Sequence, residues 1–287
     1  SVGEAERKLD CRVLAEIRHE RKYRTLRAAL RRKKSAILIT EPLTSFSYTE
    51  TIRTLRRKLE QHMPERGNTI LITSALENEG KSTIAVNLAL SLAQKHKRVL
   101  LVDCDLRKPA CRKILEIPAV QHETLEVLRG TAAPGDAILR ASDTPTLSLL
   151  LQTQSVRNSS KFVSSSAMAT FLDAVRSRYD YVILDTPPMS AGSDAEALAE
   201  LADAAVLVVR QNQAGTALLR ACVSTLRGTN AKLLGCVLND CHASILSEQS
   251  SYGYGYGYGY GYGYGHYGHY GKYGKYGAYD AVRKDGR

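Results

Sequence analysis

The chain has 287 residues, of which 40 are basic and 29 are acidic, so its formal net charge is +11. Its longest apolar runs, at 99–102 and 204–209, fall far short of the roughly 20 residues that cross a membrane. Six scattered cysteines follow neither a zinc-ligand nor a disulfide pattern, so we expect reduced thiols in a cytoplasm. The first residue, Ser1, suggests that a start methionine or a longer upstream region is missing.

The positive charge is concentrated at the two ends of the chain. Residues 1–36 hold twelve basic and five acidic residues, whereas residues 37–251 are nearly neutral. A nucleic-acid-binding domain carries a basic patch on its folded body, so this distribution argues against a nucleic-acid partner. Leu14, Ile17, Leu26 and Leu30 lie among dense charge without proline, which predicts a basic helical segment over 1–36. That segment is expected either to be solvated beside the body or to lie near an anionic membrane surface.

The central region, 37–250, alternates short apolar runs with longer helical stretches. The runs predict strands at 69–73, 98–102, 147–151, 181–184, 204–209 and 233–238. Helices are predicted at about 81–96, 122–129, 166–178, 194–201 and 216–228. Because the strands are continuously apolar, we expect them to be buried on both faces. The predicted fold is an α/β domain with a doubly wound, mostly parallel sheet and helices on both faces.

A phosphate-binding loop follows the first of these strands. Residues 75–82 read A-x-x-x-x-G-K-S between a predicted strand and an apolar helix, which is the context that a P-loop requires. Lys81 is expected to reach the β- and γ-phosphates of ATP, and Ser82 to ligate Mg²⁺. Asn78 can adopt the left-handed conformation that a glycine usually supplies, and Glu77 and Glu79 are expected to point outward. The predicted nucleotide-binding residues of the loop are Asn78, Glu79, Gly80, Lys81, Ser82 and Thr83.

Three aspartates stand at the ends of predicted strands. Asp103 and Asp105 follow the strand at 98–102, and Asp185 follows the strand at 181–184. The carboxyl ends of parallel strands form the edge where α/β proteins bind ligands. Like charges grouped there are costly unless a metal or Lys81 compensates them. Asp185 resembles a Walker B aspartate, so Ser82, Asp105 and Asp185 are the predicted metal ligands.

The segment 251–287 is a low-complexity tail in which tyrosine and glycine alternate. It holds twelve of the sixteen tyrosines and almost no aliphatic residue. Such a composition buries too little surface to offset the entropy of ordering, so we expect this tail to be disordered and flexible.

In these motifs the chain resembles the bacterial tyrosine kinases (BY-kinases) of capsule and exopolysaccharide synthesis, which are P-loop ATPases related to partition-type ATPases. The resemblance rests on the P-loop at 75–82, the box L-L-V-D-C-D-L-R at 100–107, the run V-I-L-D-T-P at 182–187 and the C-terminal tyrosines. It implies an ATP- and Mg²⁺-dependent protein-tyrosine kinase that autophosphorylates in trans and regulates polysaccharide synthesis and export.

The same resemblance implies residue roles. It makes Lys81, Asp103, Asp105 and Arg107 catalytic, with Asp103 accepting the proton of the tyrosine hydroxyl, and it adds Asn239 to the nucleotide-binding set. The implied phosphoacceptors are Tyr252, Tyr254, Tyr256, Tyr258, Tyr260, Tyr262, Tyr264, Tyr267, Tyr270, Tyr273, Tyr276 and Tyr279.

An upstream E-x-x-R-x-x-R pattern resembles the oligomerisation motif of the family. Glu50, Arg53 and Arg56 share one face of a helix predicted near 48–60. The resemblance implies a ring of identical subunits, an octamer. It also implies a transmembrane activator of the polysaccharide chain-length type, either as a separate protein or as an upstream region, which would hold the kinase at the inner face of the cell membrane.

Two other functions remain open from the sequence. The first is a partition-type regulatory ATPase without kinase activity. Leu76, which stands where those proteins carry an extra lysine, and the tyrosine tail argue against it. The second is a structural protein that self-associates through its Tyr/Gly tail. Detection of phosphotyrosine after incubation with ATP distinguishes the three.

Overall fold

One eight-stranded sheet forms the centre of the protein. The structure is a computed structural model, and it describes residues 2–20 and 37–242. The strands are β1 (Val13–Arg18), β2 (Thr69–Ser74), β3 (Val99–Asp103), β4 (Leu139–Ala141), β5 (Thr144–Leu150), β6 (Tyr181–Asp185), β7 (Ala204–Arg210) and β8 (Lys232–Cys241). Their order is β1-β8-β7-β2-β6-β3-β5-β4, and every neighbouring pair is parallel except β4 with β5.

Helices connect the strands and cover the sheet. They are α1 (Val2–Leu9), α2 (Phe46–His62), α3 (Lys81–Ala93), α4 (Cys111–Ile114), α5 (Thr124–Arg129), α6 (Pro134–Ala137), α7 (Ser160–Val163), α8 (Ser166–Arg176), α9 (Asp194–Ala199) and α10 (Thr216–Arg227). No helix of the described residues is both long enough and apolar enough to span a membrane.

Alternate residues of the central strands face two separate hydrophobic cores. Ile70 and Ile72 of β2 belong to the core beneath α2 and α3, whereas Leu71 between them belongs to the core beneath α8, α9 and α10. Successive side chains of a strand point to opposite faces, so this division shows that both faces are covered. The predicted doubly wound α/β fold is confirmed.

The middle of the sheet brings the predicted site residues together. β2 lies between β7 and β6, and β3 lies on the far side of β6. These four strands are parallel, so their carboxyl ends meet at one edge. The P-loop, Asp103 and Asp185 therefore all lie at that edge.

The prediction of a helix over residues 1–36 is wrong for residues 13–18. These residues form β1, an edge strand that pairs in parallel with β8. Leu14 and Ile17 are buried in the core beneath α2, whereas Glu16 and Arg18 are exposed. This strand alternation was hidden by the surrounding charge. Helix occupies only α1, and residues 21–36 lie outside the described part of the chain.

The remaining strand and helix predictions are confirmed with small shifts at their ends. β5 begins at Thr144, three residues before the predicted start, and pairs with the short strand β4, which the apolar pattern did not indicate. The six cysteines are all buried and unpaired, in agreement with the expectation of free thiols. The tyrosine tail and its expected disorder lie outside the described residues, and the proposed domain boundaries stay predictions.

Candidate active site

The P-loop joins β2 to α3 through two residues in the left-handed region. Asn78 has φ 62° and Gly80 has φ 94°, so the predicted left-handed conformation of Asn78 is confirmed. A Cβ at Gly80 would lie 2.2 Å from Asn239 Nδ2. That amide donates a hydrogen bond to the carbonyl oxygen of Glu79 at 2.8 Å. Asn239 therefore supports the backbone of the loop, and only glycine fits beside it.

Glu79 does not point outward as expected. Its side chain is fully buried, and its carboxylate accepts hydrogen bonds from the backbone N–H groups of Leu76 at 2.6 Å and Arg210 at 3.2 Å. Burial raises the pKa of Glu79, although these hydrogen bonds oppose the effect. The carboxylate thus stabilises the loop by a hydrogen bond within it and connects the loop to the end of β7. Glu77 follows the prediction, since it is exposed and pairs with Lys108 Nζ at 2.5 Å.

Lys81 lies buried between two of the three aspartates. Its Nζ is 2.7 Å from Asp105 Oδ2 and 3.8 Å from Asp185 Oδ1, and it also lies 3.2 Å from Ser82 Oγ. Burial alone would lower the pKa of the ammonium group, but the carboxylates of Asp185 and Asp105 reverse this and hold it above its ordinary value. Lys81 therefore stays charged at any physiological pH.

The register of β3 and β6 places Asp103 directly beside Asp185. The two residues are aligned partners at the ends of their strands, and both are fully buried. Burial raises the pKa of Asp103 well above its usual range, and the neighbouring Asp185 raises it further. Burial also raises the pKa of Asp185, with Lys81 opposing. The pair therefore favours uptake of a proton or a cation.

The first turn of α4 covers this pair. The backbone N–H of Cys111 donates to Asp103 Oδ2 at 3.2 Å, and Cys111 Sγ lies 3.4 Å from Asp185 Oδ2. The other oxygens, Asp103 Oδ1 and Asp185 Oδ1, are buried without a hydrogen-bond partner among the described residues. A buried carboxylate oxygen without a donor is costly, so both oxygens are available to a ligand that brings positive charge.

A pocket of about 550 Å³ opens above Lys81. The predicted residues that line it are Asn78, Gly80, Lys81, Ser82, Thr83, Asp105 and Arg107. Lys108 and Arg210, which were not predicted, line its rim. Asp103 and Asp185 lie beneath it and do not form its wall. The backbone N–H groups at the start of α3 and the basic rim suit the polyphosphate of a nucleotide.

The residues also fit a hard divalent cation. Mg²⁺ prefers oxygen ligands, and here the Ser82 hydroxyl and the carboxylates of Asp105 and Asp185 surround Lys81. The donor-free oxygen of Asp185 is the observation that supports the fit. These are the three ligands that the sequence predicts.

The side chain of Arg107 is held by the residues around it. Its guanidinium donates to the Ala191 carbonyl at 2.5 Å, to Ser160 Oγ at 2.8 Å and to Ser159 Oγ at 3.2 Å, and it lies 3.4 Å from Asp194 Oδ2. It therefore fixes the loops behind β3 and β6 to α7 and α9 while its side chain lines the pocket.

Sequence reasoning did not identify three residues of the site. Cys111 carries no signal in the sequence, because its contacts with Asp103 and Asp185 depend on how α4 lies over the strand ends. Lys108 reaches the pocket rim from the loop after β3, where its N–H also donates to Asp105 Oδ1 at 3.0 Å. Arg210 ends a parallel strand, so the rule that found the aspartates could have found it too.

The three residues of the upstream motif have different surroundings on α2. Glu50 and Arg53 form an exposed ion pair of 2.5 Å. Arg56 is buried, and its guanidinium donates to the Ser91 carbonyl of α3 at 3.1 Å and lies 3.6 Å from Glu60. This departs from the expectation that all three face a neighbouring subunit, because Arg56 packs α2 onto its own domain.

Comparison with known proteins places this geometry in a family. A family model described as an AAA domain matches residues 68–233. The chain is 34% identical over 224 residues to "Tyrosine-protein kinase YwqD" of Bacillus subtilis, covering 78% of this chain and 93% of that protein. It is 32% identical over 222 residues to "Succinoglycan biosynthesis transport protein ExoP" of Rhizobium meliloti, covering 76% of this chain and 28% of that longer protein.

Solved structures give the same result. The chimerical protein CapA2B2 matches with a TM-score of 0.72 at 28% identity, covering 85% of this chain and 100% of that one. The kinase domain of Escherichia coli tyrosine kinase ETK matches with a TM-score of 0.68 at 25% identity, covering 87% of this chain and 98% of that one. The cell division ATPase MinD of Pyrococcus furiosus shares the fold. It matches with a TM-score of 0.54 at 23% identity, covering 60% of this chain and 72% of that one. With the P-loop and the three strand-end aspartates in place, the chain belongs to the bacterial tyrosine kinases, a nucleotide-binding family of protein-tyrosine kinases within the P-loop ATPases.

Proposed function

We propose that the chain transfers the γ-phosphoryl group of Mg²⁺·ATP to tyrosines of its own C-terminal tail on a neighbouring copy. The observation that carries the proposal is the position of Lys81, whose ammonium is clamped 2.7 Å from Asp105 and 3.8 Å from Asp185 at the base of the P-loop pocket. A fixed cation at that place stabilises negative charge on a transferring phosphoryl group.

The chain's own residues supply binding and orientation. The N–H groups of the loop and of the start of α3 hold the phosphates, while Lys108 and Arg210 at the rim add positive charge. Ser82, Asp105 and Asp185 would hold Mg²⁺, which neutralises charge on the β- and γ-phosphates when it is bound. Asn239 acts on the nucleotide through the loop backbone that it supports.

Asp103 is proposed as the base that takes the tyrosine hydroxyl proton. Burial raises the pKa of Asp103, so its carboxylate is a stronger base than an exposed one. Its donor-free oxygen can receive the proton. Because α4 covers Asp103 through the Cys111 N–H, we infer that this contact opens when a tyrosine enters.

We propose that α2 carries the subunit contact of an oligomeric ring, an octamer by family resemblance. The exposed ion pair of Glu50 and Arg53 lies beside the start of the helix, where Phe46 is 78% exposed and Leu43 is 63% exposed. Exposed large apolar side chains near charged ones in the sequence are a feature of interfaces. Such a contact would bring the tail of one copy to the pocket of the next.

The wider role is proposed from the relatives. ExoP is named for the biosynthesis and transport of succinoglycan, an exopolysaccharide. We propose that this chain regulates capsular or exopolysaccharide synthesis and export. By family resemblance it would work with a transmembrane activator of the chain-length type at the inner face of the cell membrane.

A mixed-chain assay tests the central proposal. One chain carries Lys81→Met and keeps its tail, while the other keeps Lys81 and has all tail tyrosines replaced by phenylalanine. After incubation with Mg²⁺·ATP, mass spectrometry should find phosphotyrosine on the tail of the Lys81→Met chain only when both chains are present. A chain with Lys95→Met, an exposed lysine beyond α3, is the matched control and should phosphorylate itself. Nucleotide hydrolysis without any phosphotyrosine would favour a partition-type switch instead.

A further inference from the structure

A second cluster of ligand-type side chains lies at the end of β1 and β8, outside the residues assigned above to phosphoryl transfer. It consists of His19, Asp240 and His242. The strand register creates it. Arg18 is aligned with Cys241, and the His19 N–H donates to the Cys241 carbonyl at 2.9 Å, so His19 and His242 follow side by side.

The geometry of the three side chains converges on one carboxylate oxygen. His19 Nδ1 lies 2.6 Å from Asp240 Oδ1, and His242 Nε2 lies 3.9 Å from the same oxygen. The two imidazole rings are stacked with their centroids 4.6 Å apart. One ligand atom from each residue lies within 4.8 Å of the others. Sequence separation hides this arrangement, because 220 residues lie between His19 and Asp240.

Asp240 is held in an orientation that leaves this oxygen to the histidines. Its backbone is in the left-handed region, with φ 57°, at an irregularity in the pairing of β8 with β1. Its other oxygen, Oδ2, accepts from Arg210 Nε at 2.7 Å and from Arg210 Nη2. Arg210 therefore occupies Oδ2, and Oδ1 is the oxygen that lies near the two histidines.

We propose that His19, Asp240 and His242 bind one divalent transition-metal ion of the zinc type. Two imidazole nitrogens and one carboxylate oxygen are a ligand set that zinc accepts, with water completing the coordination. Mg²⁺ prefers oxygen ligands alone, so this site is chemically distinct from the one around Lys81. Binding requires His242 Nε2 to move closer to Asp240, and the His242 side chain is 63% exposed and free to do so.

The position of the site gives the metal a structural consequence. It would join the carboxyl end of edge strand β1 to the carboxyl end of β8, just ahead of residue 243. Arg210, which orients Asp240, also lies 3.4 Å from the Asn78 carbonyl through Nη1 and lines the pocket. The metal would therefore fasten the edge strand next to the residues that support the P-loop.

Calorimetric titration of ZnCl₂ into the metal-free full chain, without nucleotide and with excess Mg²⁺, tests the proposal. We expect one ion to bind per chain. Removal of a residue that only orients a metal ligand already weakens metal binding by about 10–100-fold. Removal of two ligands in the variant His19→Ala/His242→Ala should therefore raise the Kd at least tenfold. His122→Ala is the matched control, since His122 lies 3.5 Å from Glu126 and belongs to no cluster of three ligand-type side chains among the described residues. It should leave the Kd unchanged.

The tail carries His266 and His269, which provide a competing explanation. The variant His266→Ala/His269→Ala should keep the one-ion binding. If that variant loses it, or if His19→Ala/His242→Ala keeps the wild-type Kd, the proposal is wrong. Circular dichroism checks that each variant is folded. Should the double variant not fold, His242→Ala alone replaces it and must itself weaken Zn²⁺ binding for the proposal to stand.

Discussion

Asp103→Asn is expected to stabilise the nucleotide-free protein at neutral pH while it impairs phosphoryl transfer. The carboxylates of Asp103 and Asp185 are fully buried, and an oxygen of one lies within 4.8 Å of an oxygen of the other. Two unit charges at that distance repel by about 3.5 kcal/mol at an effective dielectric constant of 20. Protonating one acid at pH 7 instead costs about 4 kcal/mol, starting from an ordinary pKa near 3.9.

The wild-type protein bears the smaller of these two costs. The attraction of Lys81 offsets part of the repulsion when both carboxylates are ionised, and it opposes protonation of either one. Asparagine removes the charge and can still accept the hydrogen bond from the Cys111 N–H with its carbonyl oxygen. We therefore expect the free energy of unfolding to rise by about 1–3 kcal/mol in the absence of Mg²⁺ and nucleotide. A gain of about 2 kcal/mol corresponds to a rise in Tm of about 4–8 °C for a domain of this size.

The sign of the pH dependence follows from the direction of the shifts. The folded-state pKa values of Asp103 and Asp185 are raised, so the folded protein binds more protons than the unfolded chain above pH 4. Stability contributed by these groups is fully present below their unfolded pKa and is lost as the pH rises toward their folded pKa. Asp103→Asn should reduce that loss, so its advantage should be near zero at pH 4 and largest near neutrality.

Urea denaturation at several pH values between 5 and 7.5 measures this effect. Asp143→Asn is the control, because it removes an exposed carboxylate from the turn between β4 and β5 and changes the net charge equally. The control should change stability by less than about 0.5 kcal/mol. A variant at Asp103 that is no more stable than the wild type at neutral pH, with the same pH slope, would refute the reasoning that the two carboxylates repel each other.

Three further outcomes are expected. Lys81→Met should lower tail phosphorylation at least ~10²-fold, because it removes a preorganised cation from the phosphate site. Phosphotyrosine mass spectrometry measures this. Tail phosphorylation at the wild-type level would contradict the assignment of Lys81 to the kinase site. Asp185→Asn should raise the Mg²⁺ concentration needed for binding of a non-hydrolysable ATP analogue, which calorimetry detects, whereas an unchanged requirement would remove Asp185 from the metal ligands. Arg53→Glu on α2 should lower the mass of the oligomer measured by light scattering. Arg57 is also exposed on that helix and lies beside Thr54, so Arg57→Glu is the control and should leave the mass unchanged. Equal effects of the two variants would argue against a specific contact at Arg53.

The strands that carry the site were predictable because they are buried on both faces. β2, β3, β6 and β7 are continuous apolar runs, and a polar residue at the carboxyl end of such a run must lie at the ligand-binding edge of the sheet. The strand β1 was not predictable in this way. It lies at the edge of the sheet, so only alternate positions in its second half are buried. The charged residues around it favour interpretation of the segment as a helix.

Side-chain direction was the part of the site that sequence could not supply. The sequence predicts that the charged side chains of Glu79 and Arg56 are exposed. Both are buried instead, because each has a hydrogen-bond partner in the backbone nearby. Glu79 accepts from the N–H groups of Leu76 and Arg210, and Arg56 donates to the carbonyl of Ser91. Those partners are distant in the sequence or hidden in the backbone. Residue type and spacing therefore predict which groups gather at the site but not which of them face the pocket.

The sheet itself holds the two central carboxylates together. Asp103 and Asp185 end a run of aligned pairs in which Leu101 lies beside Ile183 and Val102 lies beside Leu184, all of them fully buried. Sliding one strand by a residue would turn each of these apolar side chains to the opposite core, so the register cannot relax to separate the charges. The repulsion must be relieved by a proton, by Lys81 or by a bound cation. A shift in strand register that separated the two carboxylates would disrupt both hydrophobic cores. The rigid sheet therefore keeps the carboxylates together, and their repulsion makes the site responsive to divalent cations.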